Sequence, residues 1–306
     1  MVPPGDAARA EGEGAPAPVP PRDPRADWAL PALGAMPDVE VVEEGVIRVL
    51  APNPSPMTLD GTNTYVLGLS GTGEALVVDP GPADGGHHDR VRAVLADLDA
   101  EVRGIVLTHH HLDHAEAAGA WAADHGCEVL ARSPTLASFG RVLADGARIE
   151  VAGLEVRVLD TPGHTADHVA LRLGSGAVLT GDHVLGRGTS VVAHPDGDLA
   201  AYLASLRRVL DLGPAALHPG HGPSLSEDPT AVLRFYLDHR RFREEQVRHA
   251  LATGPATLEE LVARLYADVD RRVWPAAAAS LSAAVAMLEQ RGELHLDAGG
   301  RWVADA

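Results

Sequence analysis

Apolar residues follow two rhythms along this chain. Short runs rich in Val, Ile and Leu at residues 39–50, 64–69 and 75–79 are separated by Gly, Asn and Pro turns, which predicts strands. Val102, Ile105, Val106 and Leu107 predict another buried strand, and the Ala-rich stretch 115–125 behind it predicts a helix. A helical pattern also covers about residues 88–98, and strand and helix candidates alternate to about residue 218, as in α/β domains. After Pro223 the rhythm turns helical at 227–252, 257–266 and 276–291, and ends in apolar pairs at 294–296 and 301–303 around Gly299-Gly300. Helices closed by a small hairpin predict a compact winged-helix-like unit. Residues 1–27, rich in Pro, Ala and Gly, carry no hydrophobic pattern and predict a disordered tail. The expected organisation is a tail over 1–27, a main domain over 28–224 and a small C-terminal domain over 225–306.

Composition narrows the function classes. No apolar run reaches the length of a membrane span, and the first 27 residues lack the charged start and apolar middle of an export signal, so the expectation is a cytoplasmic protein. A formal net charge of −18 disfavours a general nucleic-acid binder. All 25 basic residues are arginine, which removes Schiff-base, pyridoxal-phosphate and P-loop chemistry that needs lysine. Cys127 is the only cysteine, so internal disulfides and cysteine-held clusters are excluded.

The candidate chemistry sits at predicted strand ends. Thr108-His109-His110-His111-Leu112-Asp113-His114 follows a buried strand, and imidazole and carboxylate are both good metal ligands. His109 and His111, two apart in an extended segment, point to one side, whereas His110 points to the other. Asp113 and His114 lie on the following turn and can aim elsewhere, which suits two adjacent metal ions. Four further segments end strands with a tight turn: Asp79-Pro80-Gly81, Pro162-Gly163-His164-Thr165, Gly181-Asp182-His183 and His218-Pro219-Gly220-His221-Gly222. Asn63 and Thr64 fit either a site wall or a turn, and His87 and His88 read as cover for a helix start.

In order and type, these five segments resemble the metallo-β-lactamase-fold hydrolases. Asn53-Pro54, Gly61-Thr62-Asn63-Thr64-Tyr65, Asp167-His168 and the run from His239 to Gln246 are similar to the β-lactamase-like protein 2 branch. The resemblance implies an αββα sandwich followed by a small C-terminal winged-helix-like domain. It also implies two Zn²⁺ ions, with iron or manganese as alternatives. His109, His111 and His164 would hold one ion, Asp113, His114 and His221 the other, and Asp182 would bridge them. Asp79 would orient a ligand from behind, and His168 and His183 would support the site without binding metal.

Two ions about 3.5–4 Å apart can share a hydroxide that attacks substrate without a covalent enzyme intermediate, with Asp113 as the catalytic proton carrier. Single-stranded RNA and small acyl substrates (thioester, lactone or β-lactam) are both expected candidates. Residues 225–306 carry ten Arg and thirteen Asp and Glu, and the one concentrated basic run is Arg240, Arg241, Arg243 and Arg248. Two rival classes remain: a mononuclear iron enzyme that oxidises a sulfur substrate, and a winged-helix DNA-binding regulator. Sequence-specific DNA binding is disfavoured, because the helical stretch 276–291 carries only Glu289 and Arg291 as charges and reads as a packing helix.

Overall fold

The computed structural model describes residues 18–305. Its first sheet contains seven strands in chain order, β1 (Val39–Glu43), β2 (Val46–Leu50), β3 (Asn63–Leu67), β4 (Glu74–Val78), β5 (Glu101–Val106), β6 (Glu128–Ala131) and β7 (Gly140–Val142). The first four run antiparallel, and β4 through β7 pair in parallel. The apolar run at 39–50 divides at Gly45, whose positive φ of 76° turns a hairpin. The second sheet has the order β12 (Leu217–Pro219), β11 (Val178–Gly181), β10 (Val169–Leu173), β9 (Leu154–Asp160) and β8 (Arg148–Val151).

The two sheets pack face to face. Leu76, Val78, Val106 and Leu130 of the first meet Val156, Val158, Val169, Leu171 and Leu179 of the second in one apolar layer. Their alternates point outward: Ala75, Val77, Ile105 and Val129 meet α1 (Gly85–Leu98) and α3 (Ala118–His125) through Val91, Leu95 and Trp121. Outside the second sheet, Leu159, Ala170, Val178 and Leu217 meet α4 (Leu199–Asp211) and α5 (Pro229–Ala252). Both faces of each sheet are thus covered, which explains why the strands read as unbroken apolar runs.

The stretch 115–125, expected as one helix, is interrupted. A short α2 (Leu112–Ala115) precedes α3, and Ala117 N–H donates to Gly81 O between them. The 1–27 tail also differs from expectation. Residues 1–17 lie outside the described residues, but Pro24–Asp27 forms a 3-10 turn and Arg25 is buried. Its guanidinium pairs with Asp23, donates to Leu185 O and Gly188 O, and sits 5.5 and 5.6 Å from the Phe235 and Tyr236 rings. One anchored arginine orders a segment whose composition reads as unstructured.

The C-terminal unit contains α6 (Leu258–Leu265), α7 (Trp274–Gln290) and a hairpin of β13 (Leu294–Leu296) and β14 (Trp302–Ala304). α6 starts with a capping box between Thr257 and Glu260. α7 is buried on two sides: Leu281, Val285 and Leu288 join the small domain's core, while Ala283, Ala284 and Met287 join the α4–α5 layer of the main domain. Between Ala276 and Leu288 every residue of α7 is buried or half-buried. Among the described residues, no helix is long and apolar enough to cross a membrane.

Several buried histidines tie stability to pH. Burial takes His87 to about 4 and His239 to about 3, with Arg90 and Arg240 respectively adding to it. Both stay neutral in the fold but would gain a proton in the unfolded chain below about 6.5. Their contribution is complete above that pH and drains as pH falls from about 6.5 toward 4. Thermal melts from pH 7 to pH 5 should therefore show a falling Tm, with a shallower fall in His239→Gln; equal slopes would refute this role.

Candidate metal centre

The site lies at one end of the sandwich, where strands of both sheets deliver loops to a common point. β5 leads into Thr108, His109, His111 and then α2, β9 into His164, β11 into Asp182, and β12 into His221. Backbone bonds stitch the sheets together here: Asn63 N–H donates to Gly220 O, and Val169 N–H donates to Thr108 O. Asn63 Nδ2 donates to both Pro219 O and Gly222 O, so this buried amide holds the His221 loop in place.

Two clusters result. His111 Nδ1 lies 3.0 Å from His109 Nε2 and 3.1 Å from His164 Nε2, and Asp182 Oδ2 is 3.7 Å from His164 Nε2. Beside them, His114 Nε2 lies 3.2 Å from His221 Nε2, and Asp113 Oδ2 is 3.2 Å from His221 Nε2 and 3.6 Å from His114 Nε2. Asp182 Oδ1 is 3.4 Å from both His114 Nε2 and His221 Nε2. One carboxylate thus turns an oxygen to each cluster.

Four rings have their other nitrogen tied from behind. His114 Nδ1 lies 2.9 Å from Asp79 Oδ2, His164 Nδ1 2.6 Å from Val191 O, His221 Nδ1 3.1 Å from Gly61 O, and His109 Nδ1 3.0 Å from Thr108 Oγ1. Asp79 is fixed in turn, because Thr108 donates to it from both its backbone N–H and its hydroxyl. Support of this kind sets ring orientation and tautomer in metal sites.

The donor set fits metal ions on three counts. The inward nitrogens stand 3.0–3.2 Å apart, near the edge of roughly 3.3 Å expected of a tetrahedron with metal–nitrogen bonds of about 2.0–2.1 Å. Asp182 Oδ1 is buried and makes no well-aligned hydrogen bond, a cost of about 1–3 kcal/mol that a cation would relieve. The electrostatics agree. Burial holds His109 and His164 below the ordinary histidine range and takes His111 to about 4, so that cluster offers neutral imidazoles. In the other cluster burial opposes charge, but Asp182 together with Asp79 at His114 and with Asp113 at His221 outweighs it, holding His114 well above its ordinary value and His221 at about 9. Burial also works against the charge on Asp182, yet His221 and His114 keep it well below the usual carboxylate range. The field therefore demands positive charge where a divalent ion would sit.

A model of the Metallo-beta-lactamase superfamily matches residues 57–221, and one of the Beta-lactamase associated winged helix domain matches residues 257–302. The chain belongs to the metallo-β-lactamase superfamily. It is 33% identical over 289 residues to the Beta-lactamase-like protein 2 homolog of Drosophila melanogaster, covering 86% of this chain and 94% of that protein. It is 34% identical over 265 residues to the Atrochrysone carboxyl ACP thioesterase of Aspergillus fumigatus, covering 78% and 79% respectively. Among solved structures, a metallo-beta-lactamase family protein from Thermus thermophilus matches with a TM-score of 0.71 at 25% identity, over 85% of this chain and 99% of that one.

The fold brings all seven expected ligand side chains to this superfamily centre. His110 turns away, its Nδ1 lying 2.9 Å from Asp167 Oδ1. His168 and His183 are buried but offer no atom to either cluster: His168 Nδ1 lies 2.9 Å from Thr161 Oγ1, and His183 stacks edge-on to Tyr202. Asn63 is structural in a way its turn-like context concealed, and His87 is buried against Thr64 rather than covering a helix start. The supporting roles of Thr108, Gly61 and Val191 have no signal in the sequence. Each contributes a backbone or hydroxyl atom, which no residue-type pattern exposes.

Gly220 marks how little space the site leaves. A Cβ there would fall 2.6 Å from Asp182 Oδ1 and 2.7 Å from His114 Cε1. Gly220→Ala should therefore lose bound metal, with an overpacking cost of about 1–3 kcal/mol. Elemental analysis of the purified variant checks this, and full metal content would contradict the packing described.

Proposed function

We propose that this chain is a dinuclear zinc hydrolase of acyl thioesters. The observation that carries the hydrolytic reading is Asp182, which turns Oδ2 to one cluster and Oδ1 to the other. His109, His111 and His164 would hold one ion, Asp113, His114 and His221 the second, and Asp182 would bridge them. Neutral imidazole with carboxylate suits zinc, and iron or manganese also fit such donors. When bound, such ions lower the pKa of water toward about 7 and polarise the acyl oxygen.

Asp113 acts on the proton. Burial opposes its charge, but the bond from His221 and the charges of His114 and His221 together hold it below the usual carboxylate range, so it is ionised at neutral pH. It is also the most exposed of the three residues in its cluster. A carboxylate so placed can take a proton from the attacking water as the C–O bond forms. The C–S bond then breaks, and the proton passes to the departing sulfur. A thiol of pKa about 8.5 leaves readily, so this transfer need not be concerted with cleavage.

Two further observations favour acyl thioesters over RNA. Relatives at comparable identity carry the name of an acyl carrier protein thioesterase. Three of the four arginines in the basic run that RNA phosphates would need are engaged within the chain, leaving Arg243: Arg241 pairs with Asp238, Arg248 with Glu293 and Glu244, and Arg240 is buried and donates to Ser190 O. The complete Asp113, His114 and His221 set favours two ions over a single iron.

The test is turnover by the zinc-loaded protein on an acyl thioester, a lactone, a β-lactam and single-stranded RNA. Thioester cleavage is expected to dominate, and RNA cleavage alone would overturn the substrate reading. Asp182→Ala and His111→Ala should each lower metal content and turnover together, by more than the 10–100-fold typical of mutating an outer partner. Unchanged turnover in either variant would sink the centre.

A further inference from the structure

A second set of metal donors lies away from the centre, in the helical layer on the outer face of the first sheet. His88 stands in the first turn of α1, and Asp124 and His125 end α3. One donor atom from each residue lies within 4.8 Å of the other two. His88 Nε2 is 3.1 Å from His125 Nε2 and 3.8 Å from Asp124 Oδ2. The spacing repeats that of the main centre. There the facing imidazole nitrogens are 3.0–3.2 Å apart, with carboxylate oxygens 3.2–3.7 Å from them. Both sets straddle the edge of roughly 3.3 Å expected of a tetrahedron around zinc. A ring-to-ring hydrogen bond alone needs no carboxylate beside it, whereas a cation needs charge as well as lone pairs.

The donors are held from behind. The His88 ring stacks on Trp121, with centroids 4.2 Å apart and planes 11° from parallel. Trp121 is itself buried among Val91, Leu95 and the sheet, so the ring cannot swing away without losing that contact. Arg92, one turn further along α1, donates to Asp124 Oδ2, as outer partners do for ligating carboxylates. Asp89 pairs with the same guanidinium, so Arg92 and its two carboxylates leave one net negative charge. The C-terminal end of α3 adds the negative pole of a helix. Burial, with Arg92 adding to it, holds both rings below the ordinary histidine range, so their lone pairs are free at neutral pH. Asp124 is exposed and both rings are half-buried, which lets an ion enter from solvent.

We propose that His88, Asp124 and His125 form a separate site for a divalent cation of the zinc class, which clamps α1 to α3. Two imidazoles and a carboxylate suit zinc, with water as the fourth ligand. The clamp joins elements 36 residues apart in the chain without touching the hydrolytic centre, and it holds whatever substrate that centre cleaves.

The experiment is equilibrium dialysis of the full chain against micromolar zinc, followed by elemental analysis and thermal melts. Wild type should hold one zinc per chain more than His125→Gln and more than Asp124→Asn. Both variants should keep wild-type thioester turnover, because neither residue touches the main centre. In His111→Ala, where the main centre is damaged, the extra zinc should persist, and adding His125→Gln should remove it. Zinc should also raise the Tm of His111→Ala by more than it raises that of the double variant. Equal zinc content in wild type and both variants overturns the site, reduces the contact to a hydrogen bond between rings, and leaves the hydrolase reading standing. An equal Tm rise in the last pair overturns the clamp. Loss of one zinc in His125→Gln, with no thioester cleaved even by wild type, upholds the site and overturns the thioester reading.

Discussion

The candidate metal centre depends on one constraint, that an imidazole has two nitrogens and only one of them can face a metal. In this protein four rings have the outward nitrogen occupied by Asp79, Thr108, Val191 O or Gly61 O. Each tie fixes a ring plane, and the anchors are two side-chain oxygens just past the ends of β4 and β5 and two loop carbonyls, at Gly61 and Val191.

The carboxylates resolve the electrostatics. Asp79 serves His114 from behind, and Asp182 stands between the clusters with an oxygen toward each. Both are buried, and a buried carboxylate is tolerable only when cations or hydrogen-bond donors surround it. Asp79 is satisfied by Thr108 and His114, whereas Asp182 Oδ1 is not satisfied by protein donors. That contrast separates a carboxylate that positions from one that awaits a cation.

The second domain is joined to this centre rather than appended to it. α5 crosses from one unit to the other, and α7 contributes Ala283, Ala284 and Met287 to the layer that covers the second sheet. The strip from Thr189 to Val191 then supports the metal site on one side and forms a cleft wall on the other. The winged-helix unit thus lines this cleft with α7, whose Ala283, Ala284 and Met287 pack against the α4–α5 layer.

Much of this was legible in the order of residues. Four of the five strand-end segments carry the seven side chains that converge, and the fifth carries Asp79 behind them, because residues just past the strands lie at the sheet's end. The apolar rhythm also foretold the strands and the C-terminal helices, since periodicity is a local property. The interruption between α2 and α3 and the ordering of Pro24–Asp27 were hidden, because each is imposed by a distant partner, Gly81 O in one case and Leu185 O and Gly188 O in the other. By itself the sequence determined which side chains could bind a metal and the elements that carry them. Only the tertiary structure decided that Asp182 faces both clusters, that Asn63 locks the sheets together, and that His88 meets Asp124 and His125 between α1 and α3. Those facts arise from distances between segments far apart in the chain, and no local pattern encodes such distances.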